Sequence, residues 1–380
     1  MSVVMAVHNG ASFVQKAVES VLNQTLPAFE FIIMDDGSTD ETPEILSRCA
    51  DPRLRVVRQR NSGQLAALNR GLELATGEYI ARQDADDVWL PGRLAWQVLF
   101  LERHVSVGAV GAQAVMIDSA DRPFAVTRLP TRPISLRWQL LFESPFVHCA
   151  VLLRRAVLAS TGPYRTDDEV GPVADYELWS RVSRSAGIAN APFPLVMYRE
   201  HAAAMTKREA DAFASKAPSV REANVENEFG DHGLAVRAAR SARTLRLEQA
   251  SAMSLPAIED AVDTLLELEH AFLQKHQNGL ARDPFAVSEI REFTATRLLV
   301  AASRVGLRLT SAPARKVART LLRHVLELAR TSGGVGRATG LAWETLLRLS
   351  LGSDAYHIRA ARRALRRALG HPVNRCSARG

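Results

Sequence analysis

Residues 78–89 read EYIARQDADDVW. The segment EYIAR has the make-up of a strand, and three carboxylates, Asp84, Asp86 and Asp87, follow within four residues. Like charges this close repel unless a cation or a set of donors offsets them. Two readings are open at this point. The carboxylates can serve the start of the next helix, where Asp caps and negative charge are favoured. Alternatively they hold a divalent metal that also carries a phosphate, because Mg2+ and Mn2+ prefer oxygen ligands. A D-x-D spacing on extended backbone sends Asp84 and Asp86 to the same side, within reach of one metal–diphosphate group.

Working outward, the segments around this cluster alternate. SVVMAV (2–7), FEFIIM (29–34), LRVVRQ (54–59) and EYIAR (78–82) are short apolar runs ending in polar turns, the pattern of strands. Between them, Phe13, Val14, Ala17, Val18, Val21 and Leu22 have helical spacing over 11–24. Ser38, Thr39 and Asp40 are N-cap candidates for a helix over 41–49, a further helix is expected over 64–75, and Pro91 opens one over 91–103. Strand–helix repeated four times predicts an α/β fold with a mostly parallel sheet and helices on both faces. Ligands of such sheets bind outside the carboxyl ends of the strands. HNG (8–10), DDGSTD (35–40), NSG (61–63) and QDADD (83–87) all fall there.

Later segments are less regular. Residues 105–117 predict a strand pair or an extended segment, and 146–158 a strand passing into a short helix. Residues 175–187 predict a helix, and 192–201 a late strand. From residue 206 the chain is Ala-, Leu- and Arg-rich with helical spacing, which suggests a region of 1–205 followed by a helical extension, 206–380.

The chain has 380 residues and a formal net charge of +7, unevenly placed. Residues 291–380 carry 18 Lys plus Arg against 4 Asp plus Glu, so the half with the acidic cluster is itself acidic. Cys49, Cys149 and Cys376 match no zinc-ligand spacing and suit a reducing compartment. The N-terminus lacks the pattern of a signal peptide, and no window holds 18 uninterrupted apolar residues. The expectation is a soluble cytoplasmic protein.

Three stretches, MAVHNGASFVQKAVESVLNQT, EFIIMDDGSTDET and RNSGQLAALNRGLELATGEYIARQDADD, resemble successive segments of the family 2 glycosyltransferases, in that family's order and spacing. The likeness continues more loosely through HCAVLLRRAVL, ADYELW and YREH, covering about residues 1–205. It implies a GT-A fold and inverting transfer of a sugar from a nucleotide-sugar donor to an acceptor hydroxyl.

The resemblance also implies roles. Ala6 contacts the nucleotide through its backbone, and Asp36 accepts a base N–H, a readout suited to uracil; Asp35 is structural. Asp84 faces the ribose or sugar, and Asp86 ligates Mn2+ or Mg2+, with Asp87 a helix cap or a supporting group. Asp175 is the general base; Ala174 precedes it where the family more often has an acid, and Glu177 is the second choice. The bland alternative for Asp175 is a helix N-cap. His201 approaches the metal or diphosphate. His148 is read as structural, and Trp89 and Trp179 as core residues with faces able to stack on a sugar.

The partners implied are a nucleotide-sugar donor, a UDP-sugar by preference, and a glycan or glycolipid acceptor of surface polysaccharide assembly. In the tail, IRAARRALRRALG (358–370) places apolar residues on one face and arginines around them. Such a helix suits peripheral contact with the inner face of a membrane, or packing on its own domain. Nucleic acid ranks below both, because no recognition motif accompanies the charge. A non-catalytic nucleotide- or glycan-binding protein on the same fold is the alternative to an enzyme.

Overall fold

The computed structural model describes residues 1–202, 204–246 and 255–306. The chain divides into two compact units, Met1–Ala239 and Arg240–Gly380.

The first unit opens with the predicted alternation. Strand β1 (Ser2–Val7) is followed by α1 (Val14–Leu22), β2 (Glu30–Asp35), α2 (Thr42–Ser47), β3 (Leu54–Arg58), α3 (Gln64–Leu74) and β4 (Tyr79–Asp84). Every residue of β1 is buried, because the sheet is covered on both faces. Val3, Met5 and Val7 point to one face with Phe31, Ile33 and the α1 residues Val14, Val18 and Val21. Val4 and Ala6 point to the other, with Ile32, Met34 and the α3 residues Ala67 and Leu68. Full burial of each large side chain contributes about 1.5–3 kcal/mol. Helix α3 lies close on β1: a Cβ on Gly71 would meet Val4 Cγ1 at 2.6 Å.

The sheet order is β3-β2-β1-β4, with these strands mutually parallel. The chain therefore steps outward from β1 to β3 and returns on the other side of β1. That reversal opens a crevice at the carboxyl ends of β1 and β4, the place where ligands enter such sheets. Ala6 pairs in register with Asp84 across it.

Beyond β4 the sheet adds antiparallel pairings to the parallel ones. Strand β5 (Val88–Trp89) leads to α4 (Arg93–Arg103), β6 (Val107–Ile117), β7 (Pro123–Val126), α5 (Pro133–Leu140), β8 (Leu152–Arg154), α6 (Arg155–Thr161), α7 (Ala174–Ser185) and β9 (Gly187–Arg199). β8 runs antiparallel between β4 and β6, while β9 runs parallel to β6. Of the two readings of 105–117 the extended segment holds, as the one long strand β6 (Val107–Ile117), and its turn to β7 extends the sheet sideways. Strands β5 and β7 and helix α5 have no counterpart in the sequence reading, since two to eight residues are too few to show a period. The curled, mostly parallel sheet with its helices is a GT-A fold.

Strands end at Arg199, but the packing unit runs on. Helix α9 (Ala210–Phe229), which follows the short α8 (Met205–Arg208), is tied to α5: Arg221 Nε donates to Phe142 O at 2.7 Å and Asn224 Nδ2 to Leu140 O at 2.7 Å. Helix α10 (His232–Arg246) follows. In the second unit α11 (Leu255–Lys275), α12 (Gln277–Leu280) and α13 (Pro284–Gly306) bury Leu265, Leu268, Phe272, Ile290 and Leu298. The amphipathic segment 358–370 lies outside the described residues. No described helix is long and apolar enough to cross a membrane.

Candidate active site

The loops after β1, β2 and β3 are sewn together at the carboxyl edge. Asn9 adopts φ 54°, a left-handed conformation Asn tolerates. Its Oδ1 accepts the Thr39 N–H at 2.8 Å, and its own N–H donates to Ser38 Oγ at 3.0 Å. Gly10 N–H donates to Thr42 Oγ1 at 2.9 Å. The N-cap position of α2 falls to Glu41, while Asp40 reaches the Thr42 N–H at 3.0 Å. Asp35, buried, accepts the Ser38 N–H at 2.9 Å and faces Arg58 at 3.4 Å, a structural placement.

Asp36 is 2% exposed. Its Oδ1 accepts from Ser62 N–H at 2.9 Å, Gln59 Nε2 at 2.7 Å and Ser62 Oγ at 3.1 Å; its Oδ2 accepts from Gly63 N–H at 2.9 Å. The carboxylate expected to read a nucleotide base thus holds the 59–63 loop against the end of β2.

The acidic loop lies at the crevice. Asp84 ends β4, half-buried, in an ion pair with Arg82. Asp86 is half-buried, and its Oδ2 lies 3.0 Å from His201 Nε2. The His201 ring packs 5.0 Å from that of Phe13. Asp87 is buried, and its Oδ1 accepts the Arg199 N–H at 2.8 Å. Burial and the charge of Asp86 push its carboxyl up to about 7. None of these carboxylates caps the next helix. Helix α4 starts at Arg93 with Gly92 before it and no side-chain cap, so the capping role expected for Asp86 or Asp87 is corrected.

Later segments bring His148, Tyr164 and Asp175 within reach of the Arg82 charge. Asp175 sits in the first turn of α7 instead of at its N-cap, which Val173 occupies; its Oδ1 accepts the Tyr176 N–H at 2.7 Å. Burial raises its carboxyl above the usual range, and the charge of Arg82 opposes that rise. Glu177 is engaged by Arg181 at 2.8 Å on the same helix. His148 Nε2 lies 2.8 Å from the Tyr164 hydroxyl. Burial, then the nearby Arg82, holds the imidazole well below its ordinary range, so it stays neutral. Trp89 and Trp179 are both buried in the core.

Asp84, Asp87 and Cys149 bring ligand atoms within 4.8 Å of one another. The Cys149 thiol is pushed well above its usual range by burial and by Asp87, which keeps it a neutral thiol and a poor ligand. Strand β4 ends at Asp84 and residues 85–86 turn, so Asp84 and Asp86 are not aligned on extended backbone as the D-x-D spacing predicts; Asp86 and His201, 3.0 Å apart, are the pair that offers oxygen and imidazole donors of the kind Mn2+ accepts.

Three residues the sequence reading passed over complete the site. Arg82 stands two positions before Asp84, hence on the same side of β4. That i, i+2 spacing is the one signal of its role in the sequence. Tyr164 is held by Asn69, which donates to its carbonyl at 2.8 Å and accepts its N–H at 3.0 Å. Arg199, 1% exposed, donates from Nε to Asp86 O at 2.7 Å and from NH1 to Asp118 O at 3.0 Å, and pairs with Asp121 at 2.6 Å.

Comparison with known proteins agrees with this architecture. The family model described as Glycosyl transferase family 2 matches residues 2–162. The amylovoran biosynthesis glycosyltransferase AmsE of Erwinia amylovora is 31% identical over 198 residues, 51% of this chain and 73% of AmsE. WfaP of Escherichia coli, a UDP-Glc:alpha-D-GlcNAc-diphosphoundecaprenol beta-1,3-glucosyltransferase, is 26% identical over 54% of this chain and 79% of its own. Against two further glycosyltransferase relatives the match spans 66% and 65% of their lengths, just under two thirds. The crystal structure of S. aureus TarS 1-349 with UDP-GlcNAc superposes with a TM-score of 0.54 at 16% identity, covering 88% of this chain and 92% of that one, a likeness of fold. On the matching motifs, the AmsE relationship and the sheet topology together, the chain belongs to glycosyl transferase family 2.

Proposed function

We propose that the protein is an inverting, metal-dependent glycosyltransferase that moves a sugar from a UDP-sugar to the hydroxyl of a glycan or lipid-linked acceptor. The observation that supports this reading is the acidic loop 84–87 at the carboxyl ends of β1 and β4, with Arg82 paired to Asp84 and near enough to Asp175 for its charge to act on that carboxyl. The diphosphate of the donor would lie along Ala6, Asp84 and Asp86, with His201 beside Asp86 as a further ligand. Mn2+ or Mg2+ bound there offsets charge on the leaving diphosphate. Asp175 takes the proton of the acceptor hydroxyl, whose oxygen forms the new bond to C1. The bond from C1 to the phosphate oxygen breaks, and the nucleoside diphosphate leaves.

The UDP preference is supported by the UDP-Glc donor of WfaP and the UDP-GlcNAc bound in TarS, and the lipid-linked acceptor by the diphosphoundecaprenol acceptor of WfaP. The same reading places the reaction in surface polysaccharide or glycolipid assembly, with the strongly basic chain beyond residue 291 as a peripheral contact with the inner membrane face. A catalytic region over 1–205 and a helical extension over 206–380 remain the proposed division of labour.

The test is a thermal-shift screen of nucleotide-sugars with Mn2+, followed by transfer assays on the stabilising donor. Asp86→Ala and Asp175→Asn are each expected to abolish transfer while the variants stay folded. Full transfer by both variants would refute the assignment, and donor binding without transfer on any acceptor would favour a non-catalytic binding protein.

A further inference from the structure

Of the three arginines buried beside the acidic loop, Arg199 is committed to Asp86 O, Asp118 O and Asp121, and the other two, Arg93 and Arg82, differ in their surroundings. Arg93 is fully used by the fold. NH1 donates to Cys149 O at 2.6 Å, NH2 to Val151 O at 3.1 Å and Nε to Gln97 Oε1 at 3.0 Å, and the guanidinium lies 3.7 Å over the Trp89 ring. Arg82 is 4% exposed and is paired with Asp84. Its Nε, shielded from solvent, has no hydrogen-bond partner among the described residues. Val4, Leu68, Leu153 and Leu178 wall the hollow around it together with Tyr164, whose hydroxyl lies 2.8 Å from His148 Nε2. A guanidinium has five N–H donors, and leaving them unmet in a buried position is unfavourable. Arg93 is built into the scaffold; Arg82 has donors left over, at the crevice, next to a candidate metal ligand.

We propose that Arg82 is a resident counter-charge for Asp84 that couples metal binding to donor binding. The inference rests on the metal-site reading above. While Arg82 is paired with Asp84, a divalent cation arriving alone meets a carboxylate already neutralised and a positive charge beside it. A nucleoside diphosphate brings phosphate oxygens that a guanidinium engages in bidentate fashion. Arg82 then turns from Asp84 to the diphosphate, and Asp84 becomes free for the cation. The divalent ion thus enters with the nucleotide and not ahead of it, and each raises the affinity of the other by the same factor.

The experiment is isothermal titration of Mn2+ into the full chain, alone and with saturating UDP, for the native protein, Arg82→Gln, Arg82→Lys and Arg82→Met. Arg82→Met refills the apolar hollow should Arg82→Gln fail to fold. The native protein is expected to bind Mn2+ at least about tenfold more tightly with UDP than without it. Without UDP, Arg82→Gln and Arg82→Met are expected to bind Mn2+ at least about tenfold more tightly than the native protein, with the UDP coupling reduced by a similar factor. Arg82→Lys, which keeps the charge, restores the weak binding of the ion alone. Unchanged or weaker Mn2+ binding in the neutral variants overturns the proposal while leaving the metal site standing. Absence of Mn2+ binding in every protein, with UDP present, overturns the metal-site reading itself and the inference with it.

Discussion

The backbone N–H of Arg199 donates to Asp87 Oδ1 at 2.8 Å, joining residues 112 apart in the chain. The end of β9 thereby closes the acidic loop from the side, and the Arg199 guanidinium reaches on to Asp86 O and to the 118–121 turn. Phe13 of the first loop lies 4.6 Å from the same guanidinium. One late side chain holds three separate segments around the candidate site. Arg199→Ala is expected to destabilise the protein by about 3 kcal/mol, since it strands buried acceptors and leaves a void. Arg199→Lys should recover only part of this, because an ammonium lacks the planar fork. Urea denaturation measures both, and a loss below about 1 kcal/mol for Arg199→Ala would show the contacts to be dispensable.

Asp36 makes a second prediction. Its carboxylate accepts the Ser62 and Gly63 N–H groups just before α3 begins. Asp36→Ala is expected to cost about 2 kcal/mol and to accelerate amide hydrogen exchange at Ser62 and Gly63. Unchanged exchange at those two amides would mean the loop is held by other contacts.

Asp175 titrates above an ordinary carboxyl because burial disfavours its charge. In the proposed general-base role it must be ionised, so transfer rates should fall as the pH drops through a value above the usual Asp range of about 3.9. The sign for stability is opposite. Between the unfolded and folded pKa values the native state holds a proton that the unfolded chain has released, so stability decreases as the pH rises through this window. Asp175→Asn, which mimics the protonated form, is expected to be inactive yet at least as stable as the native protein at pH 8. A variant that melts well below the native protein at that pH would contradict this.

Gly71 tests the packing beneath the crevice. An added methyl meets Val4 Cγ1 at 2.6 Å and Met34 Cγ at 3.2 Å. Gly71→Ala should push α3 off β1 and β2 and lower stability by about 1–3 kcal/mol, read from the thermal midpoint. A neutral result would mean that the strand side chains repack without strain.

The regular half of the fold was legible in the chain because its signals are local. Val3, Met5 and Val7 against Val4 and Ala6, or Val14, Val18 and Val21, announce a strand and a helix through spacing alone. The three residues of β8, Leu152–Arg154, have no such spacing, and their antiparallel place beside β4 follows from neighbours in space. The sites divide in the same way. Asp84, Asp86 and Asp87 stand out as a cluster of like charges, whereas the partners that hold each one differ and come from elsewhere or from an unremarked neighbour.

What consecutive residues determined here is the alternation of strand and helix and the crowding of three carboxylates at the end of β4. Tertiary structure decided which positive and donor groups answer them: Arg82 for Asp84, His201 for Asp86 and the Arg199 N–H for Asp87. Periodicity is a property of neighbours along the chain, but compensation of charge depends on distance through space, and only the folded sheet brings residues 199 and 201 to residues 86 and 87.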